Sequence, residues 1–329
     1  MTTHIIKSSS TGFHTSEADS TWILKDGSAI GSYGGTGILD SFENSTLEIN
    51  GDVVAFTSIA LDGFGAVLTG KNSKIEIGET GRVNSDAAAV DLMGDGTSLD
   101  NAGRLTTSGP YAVIANLGHH LITNQGVIES NYSQMVPNGA TVSFISGGPV
   151  LAGGALHNSG KIVGASGMAL VNSDATIVNQ TTGKVVADDS AIVVHNNDGT
   201  VALVKNAGLI SGSMTVDGGD GNERIVNSGH LTGDIATYGG ADALIIKSGG
   251  VVTGNVDLGA ESDRLDLRRG DLSHAKLTGG LDDDLYLVDS KNIPISEGIG
   301  GGTDTVRSSV GFHLGDNFEF LVLTGGKDI

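Results

Sequence analysis

Four glycine-rich segments concentrate the ionisable chemistry of this 329-residue chain. They are Gly218-Gly-Asp-Gly-Asn-Glu-Arg-Ile225, Gly239-Gly-Ala-Asp-Ala-Leu244, Gly259-Ala-Glu-Ser-Asp-Arg-Leu265 and Gly279-Gly-Leu-Asp-Asp-Asp-Leu-Tyr286. Each runs from small residues through an acid to an aliphatic or aromatic residue. Glycine turns expose backbone carbonyls, and acids repeated on stacked turns bring carboxylates together. Such oxygen-rich corners suit a hard cation, and calcium takes six to eight oxygens from carboxylates, carbonyls and water. The candidate ligands are Asp217, Asp220, Glu223, Asp242, Asp263, Asp283 and Asp284. Without a cation, like charges at strand spacing repel. The expected affinity is that of extracellular calcium modules, on the order of 10⁻⁴–10⁻³ M.

The elements that position these acids are legible in a second pattern. Asn-x-Gly-x-aliphatic recurs as Asn101-Ala-Gly-Arg-Leu105, Asn124-Gln-Gly-Val-Ile128, Asn158-Ser-Gly-Lys-Ile162, Asn206-Ala-Gly-Leu-Ile210 and Asn227-Ser-Gly-His-Leu231. A lengthened copy is Asn179-Gln-Thr-Thr-Gly-Lys-Val185, and looser copies surround Gly81 and Gly250. Between Gly81, Gly103, Gly126, Gly160, Gly183, Gly208, Gly229 and Gly250 the steps are 22, 23, 34, 23, 25, 21 and 21 residues. A fixed period of this size is the signature of a solenoid. Asn and Gly both tolerate left-handed backbone, so each pair is expected to turn a corner that way. Short aliphatic runs such as Tyr111–Ala115, Met168–Val171 and Ala191–Val194 supply further strands in each turn.

The expected fold is all-β: a right-handed parallel β-helix whose inward Ile, Val and Leu form one narrow core. The 34-residue step, with Asn131 to Gly148 inside it, reads as a protruding loop. Residues 1–45 form an N-terminal cap and first turns, with Trp22 and Phe13 covering the end. Residues 46–213 form the turns with Asn-x-Gly corners, and 214–290 the acidic turns of the same solenoid. Residues 291–329 form a C-terminal cap, with Phe312, Phe318 and Phe320 closing that end. The charge distribution sets the boundary near Met214: residues 101–213 carry five acids and four bases, and 214–289 carry fourteen acids and six bases.

The acidic segments resemble the RTX calcium-binding nonapeptide, Gly-Gly-x-Gly-x-Asp-x-apolar-x. The first copy fits with Glu223 at the acidic position; the fourth fits with Asp284 there and Asp282 replacing the last glycine. The tail, from Gly301-Gly-Thr-Asp-Thr-Val306 to Gly325, is similar to segments of secreted RTX proteins. The earlier turns resemble passenger-type β-helices of bacterial surface proteins. The resemblance implies a calcium-binding β-roll or β-helix and export through a type I system without a cleaved N-terminal signal. The chain departs from the family in spacing. Glu223, Asp242, Asp263 and Asp284 stand 19, 21 and 21 residues apart, one per turn on one edge, where family nonapeptides run in tandem.

Composition narrows the function. A net charge of −20 argues against nucleic acid and for cations. No cysteine is present, which removes disulfides and thiolate sites. No apolar run is long enough to span a membrane, and Met1 to Ser20 holds no apolar signal-peptide core. No His-Glu-x-x-His or Gly-x-Ser-x-Gly motif occurs, and the pair His119-His120 reads as two polar residues on the surface. The expectation is an extracellular, calcium-binding structural or adhesive protein of a biofilm matrix or cell surface. Its partners would be calcium and either itself, end to end, or a cell-surface polysaccharide. The alternatives are a polysaccharide-active enzyme, using acids and histidines such as Asp174, Asp188, Asp189, His157 and His195, and a non-catalytic export or folding module of a larger RTX protein.

Overall fold

The computed structural model describes all residues except 1, 57–62, 117, 133–140, 146–153, 172–173, 196–199, 273–274 and 327–329. The described residues contain no helix, and therefore none long and apolar enough to cross a membrane. The chain is a parallel β-solenoid. One wall is a fifteen-stranded parallel sheet, to which each turn contributes one strand, from Thr2–Ile6 to Phe320–Leu323. The other walls are two ladders of shorter strands, joined by hydrogen bonds into a second sheet. They merge where a turn runs through both as one long strand, as in Leu209–Gly219 and His230–Tyr238. The long sheet runs without a break past residues 45, 213 and 290.

Alternation explains why these residues stack. Inward residues of the long sheet form a column: Trp22 on Leu47, then Ile75, Leu99, Ile122, Leu156, Ile177, Val204, Ile225, Leu244, Leu265, Tyr286 and Val306. Each is buried, at 7% exposure or less. Full burial of one Leu or Ile contributes roughly 1.5–3 kcal/mol, so this column, with the equally buried inward residues of the other walls, holds the turns together. Trp22 begins it, with its ring stacked on His4 at 4.2 Å and beside Phe13 at 5.5 Å. At the other end Phe318 meets Tyr286 edge-on at 5.3 Å, Phe312 is half-buried against the core, and Phe320 faces solvent.

The Asn-x-Gly corners work differently from the expectation. None of their Asn or Gly residues has a positive φ. Glycine is needed because the turns approach closely: a Cβ on Gly103 would lie 2.3 Å from the Gly81 carbonyl oxygen, and one on Gly126 2.1 Å from that of Gly103. Left-handed residues sit at the opposite corner, just ahead of the long sheet, at Asn44, Asn72, Glu261 and Asp282 among others. Two further expectations change. Part of the 131–148 stretch, Val142–Ile145, is a strand paired with Val113–Asn116 and Met168–Val171 rather than loop; most of the rest lies outside the described residues. His120 is buried at 2% exposure, bonded to Thr97 Oγ1 (2.8 Å) and Asn116 O (3.0 Å), because its position in the strand points inward. His119 beside it is exposed, as expected.

Candidate metal centre

The long sheet has two inward-facing corners, one where each strand begins and one where it ends. At the trailing corner six asparagines, Asn101, Asn124, Asn158, Asn179, Asn206 and Asn227, are all buried. The Nδ2 of each donates to the Oδ1 of the next, at 2.7–2.8 Å. Isoleucines flank this ladder, Ile77 below Asn101 and Ile246 above Asn227.

The leading corner changes character along the chain. It starts with hydroxyls, Ser45, Ser73 and Thr97, and His120, then passes through Gly154, Ala175 and Ala202. From Glu223 onward it is acidic: Glu223, Asp242, Asp263, Asp284 and Asp304 are each no more than 3% exposed. One oxygen of each Asp accepts the backbone N–H of the acid one turn earlier. The distances are 2.6 Å from Glu223 N, 2.7 Å from Asp242 N, 2.8 Å from Asp263 N and 2.9 Å from Asp284 N. Asp304 N in turn donates to Glu319 Oε2 at 2.8 Å. The glycine-rich approach makes this possible: Gly240 and Gly302, each two residues before an acid of the column, have positive φ, as do Glu261 and Asp282 at the same place in their turns.

The second oxygen of each aspartate has a different fate. Oδ2 of Asp263, Asp284 and Asp304 is buried without a hydrogen-bond partner, and no Lys, Arg or His forms an ion pair with the four aspartates Asp242 to Asp304 among the described residues. Burial therefore pushes the carboxyls up: Asp242 to about 7, Asp263 to about 8, Asp284 to about 7 and Asp304 to about 6. The amide bonds, and for Asp242 also the Thr237 hydroxyl, oppose the shift, and neighbouring carboxylates reinforce it.

At the last of these turns a third wall contributes. Ile295 bridges to Leu277, which places Glu297 opposite the leading corner. Asp284, Glu297 and Asp304 each bring an oxygen within 4.8 Å of the others, a group able to hold a metal ion. Glu297 Oε1 accepts from Gly279 N at 3.0 Å and from the Tyr286 hydroxyl, and Oε2 accepts from Thr278 Oγ1 at 3.2 Å. Burial and Glu297 together hold the Tyr286 phenol protonated well past its usual range. Gly279 makes room: a Cβ there would lie 2.0 Å from Asp284 Oδ2. The donor set is all oxygen, carries up to three negative charges and has two orphaned oxygens. That is the chemistry of a hard divalent cation rather than a soft one.

The structure sorts the candidate ligands. Glu223, Asp242, Asp263 and Asp284 stack in one buried column, and of these Asp284 belongs to the three-carboxylate group. Asp217 stands on another wall, where its Oδ1 accepts the Tyr238 hydroxyl at 3.0 Å. Asp220 is exposed, and Asp283 is exposed with its Oδ1 on Thr303 N at 2.8 Å. Asp304 continues the period, 20 residues after Asp284 and behind its own Gly-Gly pair, so its place is readable in the sequence. Glu297 carries no repeat signal. Of the residues considered for catalysis, Asp174 Oδ1 accepts Val201 N at 2.7 Å and Asp189 Oδ2 the Ser190 hydroxyl at 3.3 Å. Asp188 is exposed, His157 is half-buried between Thr123 and Val178 on the outer face of the long sheet, and the His195 side chain lies outside the described residues. Comparison with protein-family models, curated proteins and solved structures finds no match to this chain.

Proposed function

We propose that this protein is a secreted structural or adhesive solenoid whose C-terminal turns are ordered by calcium. The observation that carries this reading is the meeting of the buried Asp284 and Asp304 with the half-buried Glu297, with no base paired to them among the described residues. Three carboxylates so close together, two of them buried, need protons or a cation, and a site of this kind matches millimolar extracellular calcium better than submicromolar cytosolic levels. The one-per-turn acidic corners are then variants of the RTX type. A long stacked solenoid suits a matrix or surface role, with end-to-end assembly or polysaccharide contact outside the cell.

Terbium, a calcium substitute excited through nearby tyrosine, tests the site directly. Tyr286 touches Glu297, so terbium emission is expected, with calcium displacing it and Tyr286→Phe removing most of the sensitisation. A melting temperature unchanged between millimolar calcium and chelator, together with absent terbium emission, would defeat the proposal.

A further inference from the structure

The three carboxylates of the centre are not held alike. Asp284 and Asp304 belong to the ladder, and each is fixed by a backbone N–H of the preceding turn. Glu297 arrives on the irregular segment 289–304, which joins the strands Leu285–Val288 and Thr305–Ser308. Its backbone pairs with the wall at an isolated bridge at Ile295, with Leu277 N to Pro294 O at 3.1 Å and Ser296 N to Leu277 O at 2.9 Å, and Ile293 and Ile295 pack half-buried against the core. Beyond Glu297 it leaves the body: Gly298 and Gly300 have open space around them and Ile299 is 97% exposed.

Docking this segment has an electrostatic consequence. It carries a third carboxylate toward two buried ones whose Oδ2 atoms have no partner. Nothing in the ladder lets Asp284 or Asp304 retreat, whereas Glu297 can leave by breaking a few bonds. We propose that segment 289–301 is a latch closed by the cation: an ion on Asp284, Glu297 and Asp304 holds Glu297 inside, and its loss releases the segment from the wall. The inference rests on the metal reading above and adds that occupancy and closure are one equilibrium. Closure also seats Asn317, whose Nδ2 donates to Glu297 O at 3.0 Å, and Phe318, which covers Tyr286. The latch therefore orders the last turn as well.

Hydrogen exchange of the full chain tests this, read on peptides covering 289–301 and, as a reference, 201–227. With millimolar calcium the 289–301 amides should exchange at least about tenfold more slowly than in chelator, with the reference unchanged. Glu297→Gln removes the repulsion while its amide oxygen still accepts from Gly279 N and the Tyr286 hydroxyl. This variant should protect 289–301 in chelator as well as in calcium. If calorimetric or terbium titration shows the cation bound to the wild type while 289–301 exchanges as fast as in chelator, the latch is wrong and the metal reading stands. If no cation binds at millimolar concentration, the metal reading falls and takes the latch with it.

Discussion

The trailing corner of the long sheet stacks six asparagines, and the leading corner stacks four aspartates between two glutamates. Both present one side chain per turn at a spacing of about 4.8 Å. The chemistry differs in one respect. An amide carries a donor and an acceptor, so identical amides satisfy one another along the stack. A carboxylate only accepts. It must borrow a donor from the backbone of the turn before, and its second oxygen is left over. Beyond its first oxygen, on Asn101, the asparagine column is therefore complete with protein atoms alone, and the aspartate column is complete only with protons or a cation.

Exchanging the two chemistries is the most direct way to break this contrast. Asn158→Asp should cost about 3–5 kcal/mol, since it removes the donor to Asn179 and buries an unpaired charge. A urea midpoint measured with unchanged slope reads it; a loss under about 1 kcal/mol would mean that the ladder does not depend on the amide. The next effect is on pH. Asp242, Asp263 and Asp284 are held near 7 to 8, above their ordinary 3.8, so the folded state binds protons more tightly than the unfolded chain. Their contribution is complete below about pH 4 and is lost as pH rises through about 7 to 8. In chelator the protein should melt lower at about pH 9 than at about pH 6, and calcium should narrow the gap. Equal melting points in chelator would contradict the buried spine.

The reciprocal exchange should have the opposite sign. Asp263→Asn keeps the acceptor for Asp242 N and puts a donor where an oxygen now has no partner. In chelator at neutral pH it should stabilise by about 1–2 kcal/mol, read by the same urea titration, and destabilisation would show that Oδ2 is already satisfied. The smallest effect separates the column from the acids around it. Asp220→Asn, at an exposed position, should change stability by less than about 0.5 kcal/mol and leave the calcium titration midpoint unmoved.

Much of this is readable in the chain. The glycine period follows from close stacking, because a side chain at Gly103 or Gly126 would collide with the turn below. That kind of constraint repeats in sequence. The column from Glu223 to Asp284 is readable for the same reason, although its burial is not: an acid behind a glycine turn looks alike whether it faces solvent or core. Asp220 and Glu223 show the ambiguity, since in one glycine-rich segment the first is exposed and the second buried. Glu297 is unreadable, because its role comes from a single bridge between distant residues and no repeat announces it. The asparagines look like turn formers in the sequence, yet what selects them is the hydrogen bond to the next turn.

The asparagine column also has a direction. All five amide-to-amide bonds donate toward the C-terminal turns, from Asn101 to Asn227. Chains of hydrogen bonds polarise one another, so the side-chain dipoles add along the axis of the solenoid. The negative pole is Asn101 Oδ1, a buried oxygen with no donor facing it. The positive pole is the Asn227 amide, in the strand Asn222–Asn227, where the acidic column also begins with Glu223. The column is thus electrically polar along its length, and its positive pole lies in the turn where the carboxylates start.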